Sequence, residues 1–302
     1  MLNLSVEKAY PLVQKNIKKE LLLQTENLVR SYQQYVNQAQ GLAHEDAVVY
    51  GFRALIALAN MVIEEREVFA IEPWHLMSLD APLSCPGEML LRVRDYRGDV
   101  IPPYPAVMAF YNHGFTAQLD NILFLAALDQ FMRSDERQVS INVSARSLRD
   151  RGFVTSTLEC LSTLELGSDE KIIIEIHEST PHVGMNQDVL KLYHNLGVSF
   201  ALDDVGLNIN DIMRIGEFDG IADYIKIDRH AVCAENGASN SLENVVSFVE
   251  SLMPKVTIVA EGVQDAHHAI RLRKRFPEIA YVQGLYLPSE RSVFKRQLIR
   301  AQ

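Results

Sequence analysis

Eight polar residues interrupt or close apolar runs in this chain: Glu88 in "GEMLLR", Asn142 in "SINVS", Glu175 in "IIIEIHES", the adjacent Asp203 and Asp204 in "FALDD", Lys226 in "YIKID", Glu261 in "VAEG" and Gln283 in "YVQG". A carboxylate in such a run is costly to bury unless it is paired or bound to a cation. Taken singly, each has a plain structural explanation: a strand-end aspartate is often the N-cap of the next helix, and Asp204 reads that way as readily as it reads as a metal ligand. Gathered at one place, five carboxylates and an asparagine would repel one another, and a hard divalent cation with oxygen ligands resolves the repulsion. Such a set suits Mg²⁺ or Mn²⁺, and two ions about 4 Å apart suit in-line attack of water on a phosphodiester. Lys226 would then orient the water or neutralise charge developing on a phosphoryl oxygen. The alternative for Lys226 is a buried salt bridge that holds the fold.

Other chemistries find less support. There is no HxxxH or HExxH spacing for zinc, His177 lies between Glu175 and Glu178, and no GxSxG elbow marks a covalent nucleophile.

These residues need a scaffold that brings strand ends together. From about Ser5 to Ala39, apolar residues recur at steps of three and four, predicting one long amphipathic helix. A break at Gly41 precedes a second helix over "DAVVYGFRALIALANMVIEER", so residues 1–65 read as an αα hairpin, either a dimerisation or regulatory element or a packing appendage. Beyond Arg66, β-like runs alternate with helical stretches almost to the end. About eight such strands fit a (β/α)8 TIM-like barrel over 66–302 better than an open doubly wound sheet, and chemistry in such barrels sits where strands end. No GxGxxG or GxxxxGK[ST] string favours a nucleotide-binding open sheet.

Composition is that of a folded globular protein, 48% apolar and 23% charged. The net charge of −10 argues against binding a nucleic acid polymer but leaves a phosphate ligand open to local cations. Cys85, Cys160 and Cys233 form no disulfide framework, which predicts a reducing cytoplasm, and the apolar run from Ala54 to Ile63 is too short for a membrane span.

In order, "EMLLR", "INVS", "EIHES", "LDDVG", "KIDR", "AEG" and "VQG" resemble the motifs of the EAL domain family, over about Val68 to Pro288. The resemblance implies a barrel whose first strand is antiparallel, and hydrolysis of cyclic di-GMP to the linear dinucleotide with two Mg²⁺ or Mn²⁺ ions. It implies Glu88, Asn142, Glu175, Asp203, Asp204 and Glu261 as metal ligands and Lys226 as the residue working on the nucleophilic water. It further implies Arg92 on a substrate phosphate, Gln283 lining the site, and Glu178 anchoring the loop after Asp204. A homodimer is part of the same expectation.

The chain also departs from the family pattern. The loop usually written D-D-F-G-T-G-Y-S-S is "DDVGLNIND"; Glu72 stands where glutamine precedes Pro73, near a guanine site; Gln264 replaces a glutamate, and "YLPSE" replaces F-S-R-P. The entry to the helix around "AVMAFYNHG" lacks the usual A-E pair. These departures define the alternative: a catalytically silent receptor for cyclic di-GMP, or a protein-interaction module whose partner docks through the N-terminal helices.

Overall fold

Apolar runs such as "KIIIEI" and "YIKI" offer no polar face to water, as strands covered on both sides require. The computed structural model describes residues 10–38, 45–78, 85–177, 185–206, 208–233, 241–284 and 286–301. Its strands are β1 (Phe69–Pro73), β2 (His75–Leu76), β3 (Gly87–Leu91), β4 (Gln138–Val143), β5 (Lys171–Ile176), β6 (Val198–Val205), β7 (Tyr224–Ile227), β8 (Thr257–Ala260) and β9 (Ile279–Val282). They form one nine-stranded sheet in the order β1-β3-β4-β5-β6-β7-β8-β9-β2. Every neighbour from β3 to β9 is parallel.

The two outer strands run the other way. β2 is antiparallel to β9. The Arg92 amide donates to the Val68 carbonyl and the Trp74 amide to the Pro86 carbonyl, an antiparallel pattern that sets β1 against β3. Only Trp74 separates β1 from β2, so one short segment reaches both edges of the parallel run and nearly closes the sheet into a barrel. The TIM-like architecture with a reversed first strand is therefore present.

Two compact units divide the chain, one comprising Met1–Ala70, Met89–Asp135 and Arg146–Glu165, the other Ile71–Glu88, Glu136–Ala145 and Leu166–Gln302. In the first, α1 (Tyr10–Gln38) packs on α2 (Glu45–Ile63) as a helical pair. α1 also packs on α4 (Thr116–Arg133), and α2 on α3 (Pro103–Tyr111). Ile17, Leu21, Leu28 and Tyr32 follow at steps of four, seven and four, so they line one buried face of α1. Tyr32 has no exposed surface, and its ring centroid lies 4.5 Å from that of Phe110 and 5.1 Å from that of Phe115. The window Asp46–Ile63 is long and apolar enough to cross a bilayer by composition, yet half of it is buried within the protein, as expected of a core helix. A further helix, α5 (Arg151–Ser162), is capped by Asp150, whose side chain accepts from the Phe153 amide.

In the second unit, α6 (Gln187–Asn195), α7 (Ile209–Glu217), α8 (Arg229–Cys233), α9 (Leu242–Leu252), α10 (Ala266–Arg275) and α11 (Arg291–Ala301) alternate with the strands. Asn186, Asn208 and Asp265 cap α6, α7 and α10 through their side chains.

Truncating Tyr32→Ala removes an aromatic ring from a packed cluster and is expected to cost about 3–5 kcal/mol of stability. Urea denaturation followed by circular dichroism checks this; an unchanged midpoint would show that α1 contributes nothing to the folded unit.

Candidate active site

Strand alternation sorts the inner residues of the second unit into a floor and a mouth. Trp74, Ile173, Ala201, Tyr224 and Val259 form a buried apolar cluster, with Tyr281 packed against it. Two residues further along the parallel strands come Glu175, Asp203, Lys226, Glu261 and Gln283, which a period of two returns to the same side. In β1 the order is inverted, Glu72 preceding Trp74, because that strand runs the opposite way. The apolar layer fills the barrel, and the next layer carries the chemistry.

Lys226, on β7 and only 1% exposed, is the centre of that second layer. Its Nζ lies 3.1 Å from Glu88 Oε2, 2.7 Å from Glu175 Oε2, 3.1 Å from Asp203 Oδ1 and 2.7 Å from Glu261 Oε1. From below, the Trp74 ring centroid is 5.9 Å away, adding a cation–π contact. Glu88 is held on both oxygens: Asn142 Nδ2 donates to Oε1 at 2.7 Å, and Gln283 Nε2 donates to Oε2 at 2.7 Å. The same Gln283 amide also donates to Glu72 Oε1 at 3.2 Å.

One ammonium cannot neutralise four buried carboxylates equally. Burial raises the Glu88 carboxyl, but the Lys226 charge and the hydrogen bonds from Gln283 and Asn142 outweigh it, so its pKa ends below the ordinary value. Glu175 is pushed well above the usual range by burial and by the neighbouring Glu88 charge, which Lys226 offsets only in part. Burial raises Glu261 to about 8, against the pull of Lys226, with Asp203 and Glu88 adding to the rise. Burial and the adjacent Asp203 charge raise Asp204 to about 6. For Lys226 itself burial favours the neutral amine, yet the surrounding carboxylates hold it firmly protonated.

Asp203 and Asp204 are neighbours on β6 and would point to opposite faces in a regular strand. The register between β6 and β7 slips between Leu202 and Val205, and Asp204 takes a φ of 54°, in the left-handed region. With that break, oxygens of Asp203, Asp204 and Glu261 all lie within 4.8 Å of one another. Asp204 is not the helix cap: the N-cap of α7 is Asn208. Two glycines make room at the strand ends. Gly262, with φ at 67°, would place a Cβ 2.4 Å from the Arg229 Cβ, and a Cβ on Gly284 would fall 2.0 Å from the Val263 carbonyl oxygen.

The donor set fits a hard divalent cation. Oxygen ligands predominate, three of the carboxyls sit at raised pKa values from burial and from neighbouring carboxylates, and Glu175 Oε1 is buried with no hydrogen-bond partner. Glu88, Asn142, Glu175, Asp203, Lys226, Glu261, Gln283 and Glu72 are thus brought into one connected network, with Asp204 at its edge. Arg92 lies just past β3, where its Nη1 donates to the Leu91 carbonyl at 2.9 Å. Glu178 lies outside the described residues. Sequence reasoning missed Trp74 beneath Lys226, and Asp211 and Arg214 in α7. The spacing of Asn208 and Asp211 as a capping box was the available signal for Asp211.

A barrel of this topology gathers its strand ends at one face, and here that face carries an acidic mouth built around one lysine. The EAL domain model matches residues 85–289, and the chain belongs to the EAL domain family. Among solved structures it is similar to the FimX EAL domain from Pseudomonas aeruginosa bound to c-di-GMP, at 19% identity and a TM-score of 0.57, covering 77% of this chain and 94% of that one. The Xanthomonas citri FimX EAL domain in complex with c-di-GMP matches at 17% identity and a TM-score of 0.61, covering 78% and 92%. The PaMucR phosphodiesterase in its c-di-GMP complex matches at 23% identity and a TM-score of 0.57, covering 74% and 96%. At these identities the likeness is one of fold. No curated protein matches the chain by sequence.

A carboxyl must lose its proton to ligate a cation, so protons compete wherever the pKa is raised. With Asp204 raised to about 6, Glu261 to about 8 and Glu175 well above the usual range, apparent Mn²⁺ affinity is expected to climb as pH rises from 6 through 8. Calorimetry in buffers of different ionisation enthalpy should show proton release on binding at pH 7; affinity independent of pH would contradict the raised values.

Proposed function

We propose that this EAL domain hydrolyses cyclic di-GMP to the linear dinucleotide with Mg²⁺ or Mn²⁺. The observation that carries the reading is the intact donor set: Glu88, Asn142, Glu175, Asp203, Asp204 and Glu261 are all present, and five of the six are tied to one another or to Lys226 by the contacts above. These residues would hold two ions, whose chemistry when bound is to acidify a water and to neutralise the phosphodiester oxygens.

The chain's own groups set up the rest. Lys226 presents an ammonium in a buried site, where its N–H donors fix the surrounding carboxylates and its charge would stabilise a water or a phosphoryl oxygen nearby. Glu261, its pKa raised to about 8, can hold a proton on the oxygen turned away from Lys226 and give it up. Gln283 joins Glu88 to Glu72 and so connects the ligand set to the residue expected beside a guanine base. Arg92 is assigned to a substrate phosphate and Glu178 to anchoring the loop after Asp204. In the overall change, water oxygen bonds to phosphorus, one ester P–O bond breaks, and the departing 3′ oxygen takes the proton.

A second reading is favoured by one observation. Lys226 already contacts four of the carboxylates, so the site is partly neutralised by its own lysine and is compatible with a silent receptor. In either reading the protein works in the cytoplasm, and residues 1–65 are the element that pairs two copies or takes up a protein partner, ahead of a barrel domain at 66–302. Val49, Ile56 and Ile63, exposed on α2 at intervals of seven, support a helical pairing surface.

Purified protein incubated with cyclic di-GMP and Mn²⁺ or Mg²⁺ should yield linear dinucleotide by chromatography. Lys226→Ala should lower kcat by about 10²–10³-fold, the loss expected on removing one preorganised charge donor. Binding without product across both metals would establish the receptor reading instead.

A further inference from the structure

We propose that Asp211 and Arg214 are positioning residues that fasten the backbone break on which the paired aspartates depend. The inference rests on the cation-binding reading of the site and extends it to residues that touch no proposed ligand.

The problem to be solved is local. For Asp203 and Asp204 to serve one site, the peptide between them has to stay in an orientation that leaves Asp204 at a φ of 54°. A non-glycine residue in that region costs about 1–3 kcal/mol and persists only when its surroundings hold it. A flip of the same peptide would return Asp204 to ordinary strand geometry and turn its carboxylate to the other face.

Arg214 holds that peptide directly. It has no exposed surface, and its Nη2 donates to the main-chain carbonyl of Asp203. The same Nη2 lies 3.4 Å from Oδ1 of Asp211, which is also fully buried. The other oxygen, Asp211 Oδ2, accepts the amides of Gly206 at 2.9 Å and Asn208 at 3.1 Å. The Asp211 amide in turn donates to Asn208 Oδ1 at 3.0 Å. The carbonyl before Asp204 and two amides after it are therefore tied to one ion pair in the first turns of α7.

Such a pair is a poor stabiliser. Desolvating two charges costs about as much as their attraction returns, and apolar replacements of similar volume are often neutral. Its geometry accounts for its presence better than its energy does: one guanidinium nitrogen reaches a carbonyl and a carboxylate together, and the carboxylate takes two amides.

The test uses the full chain with Asp211→Asn and Arg214→Met combined, since Arg214→Met alone would leave a buried carboxylate unpaired and endanger folding. Mn²⁺ affinity is read by the EPR signal of free Mn²⁺, fold by thermal unfolding, and the loop by amide hydrogen exchange at Gly206 and Asn208. The expected result is a folded double variant that binds Mn²⁺ about 10–100-fold more weakly, as loss of groups orienting metal ligands typically produces, with both amides exchanging faster. Equal Mn²⁺ affinity in wild type and folded double variant overturns the inference, whatever the hydrolysis assay shows. A wild type that takes up Mn²⁺ but makes no linear product overturns the hydrolytic reading alone and leaves the inference standing. No Mn²⁺ uptake by the wild type overturns both.

Discussion

The site is organised by the attraction of four buried carboxylates to one ammonium. Lys226 reaches Glu88, Glu175, Asp203 and Glu261 at 2.7–3.1 Å, and it can do so only because β3, β5, β6, β7 and the end of β8 present side chains to a common interior. The lysine is stabilised in its charged form far more completely than any one carboxylate is. Burial, with the neighbouring carboxylates adding to it, raises the pKa values of Glu175, Glu261 and Asp204. Buried carboxyl oxygens in excess of the one ammonium are a donor set that a hard cation, by displacing their protons, would satisfy.

That arrangement depends on an apolar layer beneath it. Trp74, Tyr224 and their neighbours exclude water from below, which lowers the local dielectric and strengthens each interaction above. Trp74 also links the two levels, since its ring faces the ammonium. The reversal of β1 is what allows this: one antiparallel segment contributes Glu72 to the polar layer and Trp74 to the floor.

The segment after the paired aspartates departs from the family's usual string, yet described residues on either side of Leu207 are joined by hydrogen bonds. "VGLNIND" lacks the small residues of the family's usual loop, yet Asn208 and Asp211 form a reciprocal capping box at the start of α7. Its hydrogen bonds return to Gly206 and, through Arg214, to Asp203. Departure from a family's sequence pattern is thus not the same as loss of order, because a different set of side chains can satisfy the same backbone groups.

Much of this was legible in the sequence. Alternating strand and helix periodicity carried the barrel, and polar residues at the ends of apolar runs marked the side chains that meet around Lys226, because burying a charge without a partner is too costly to be incidental. The seven ordered motifs carried the family. Tertiary structure alone decided which carboxylates share Lys226, since residues as far apart as Glu88 and Glu261 meet only when the sheet curves round. It also decided that adjacent Asp203 and Asp204 bring oxygens within 4.8 Å of each other and of Glu261: a period of two opposes that in a regular strand, and the register slip and the left-handed Asp204 overrule it. Local pattern fixes which residues are polar where they should be apolar, whereas the distances and charges between them depend on contacts that no local pattern contains.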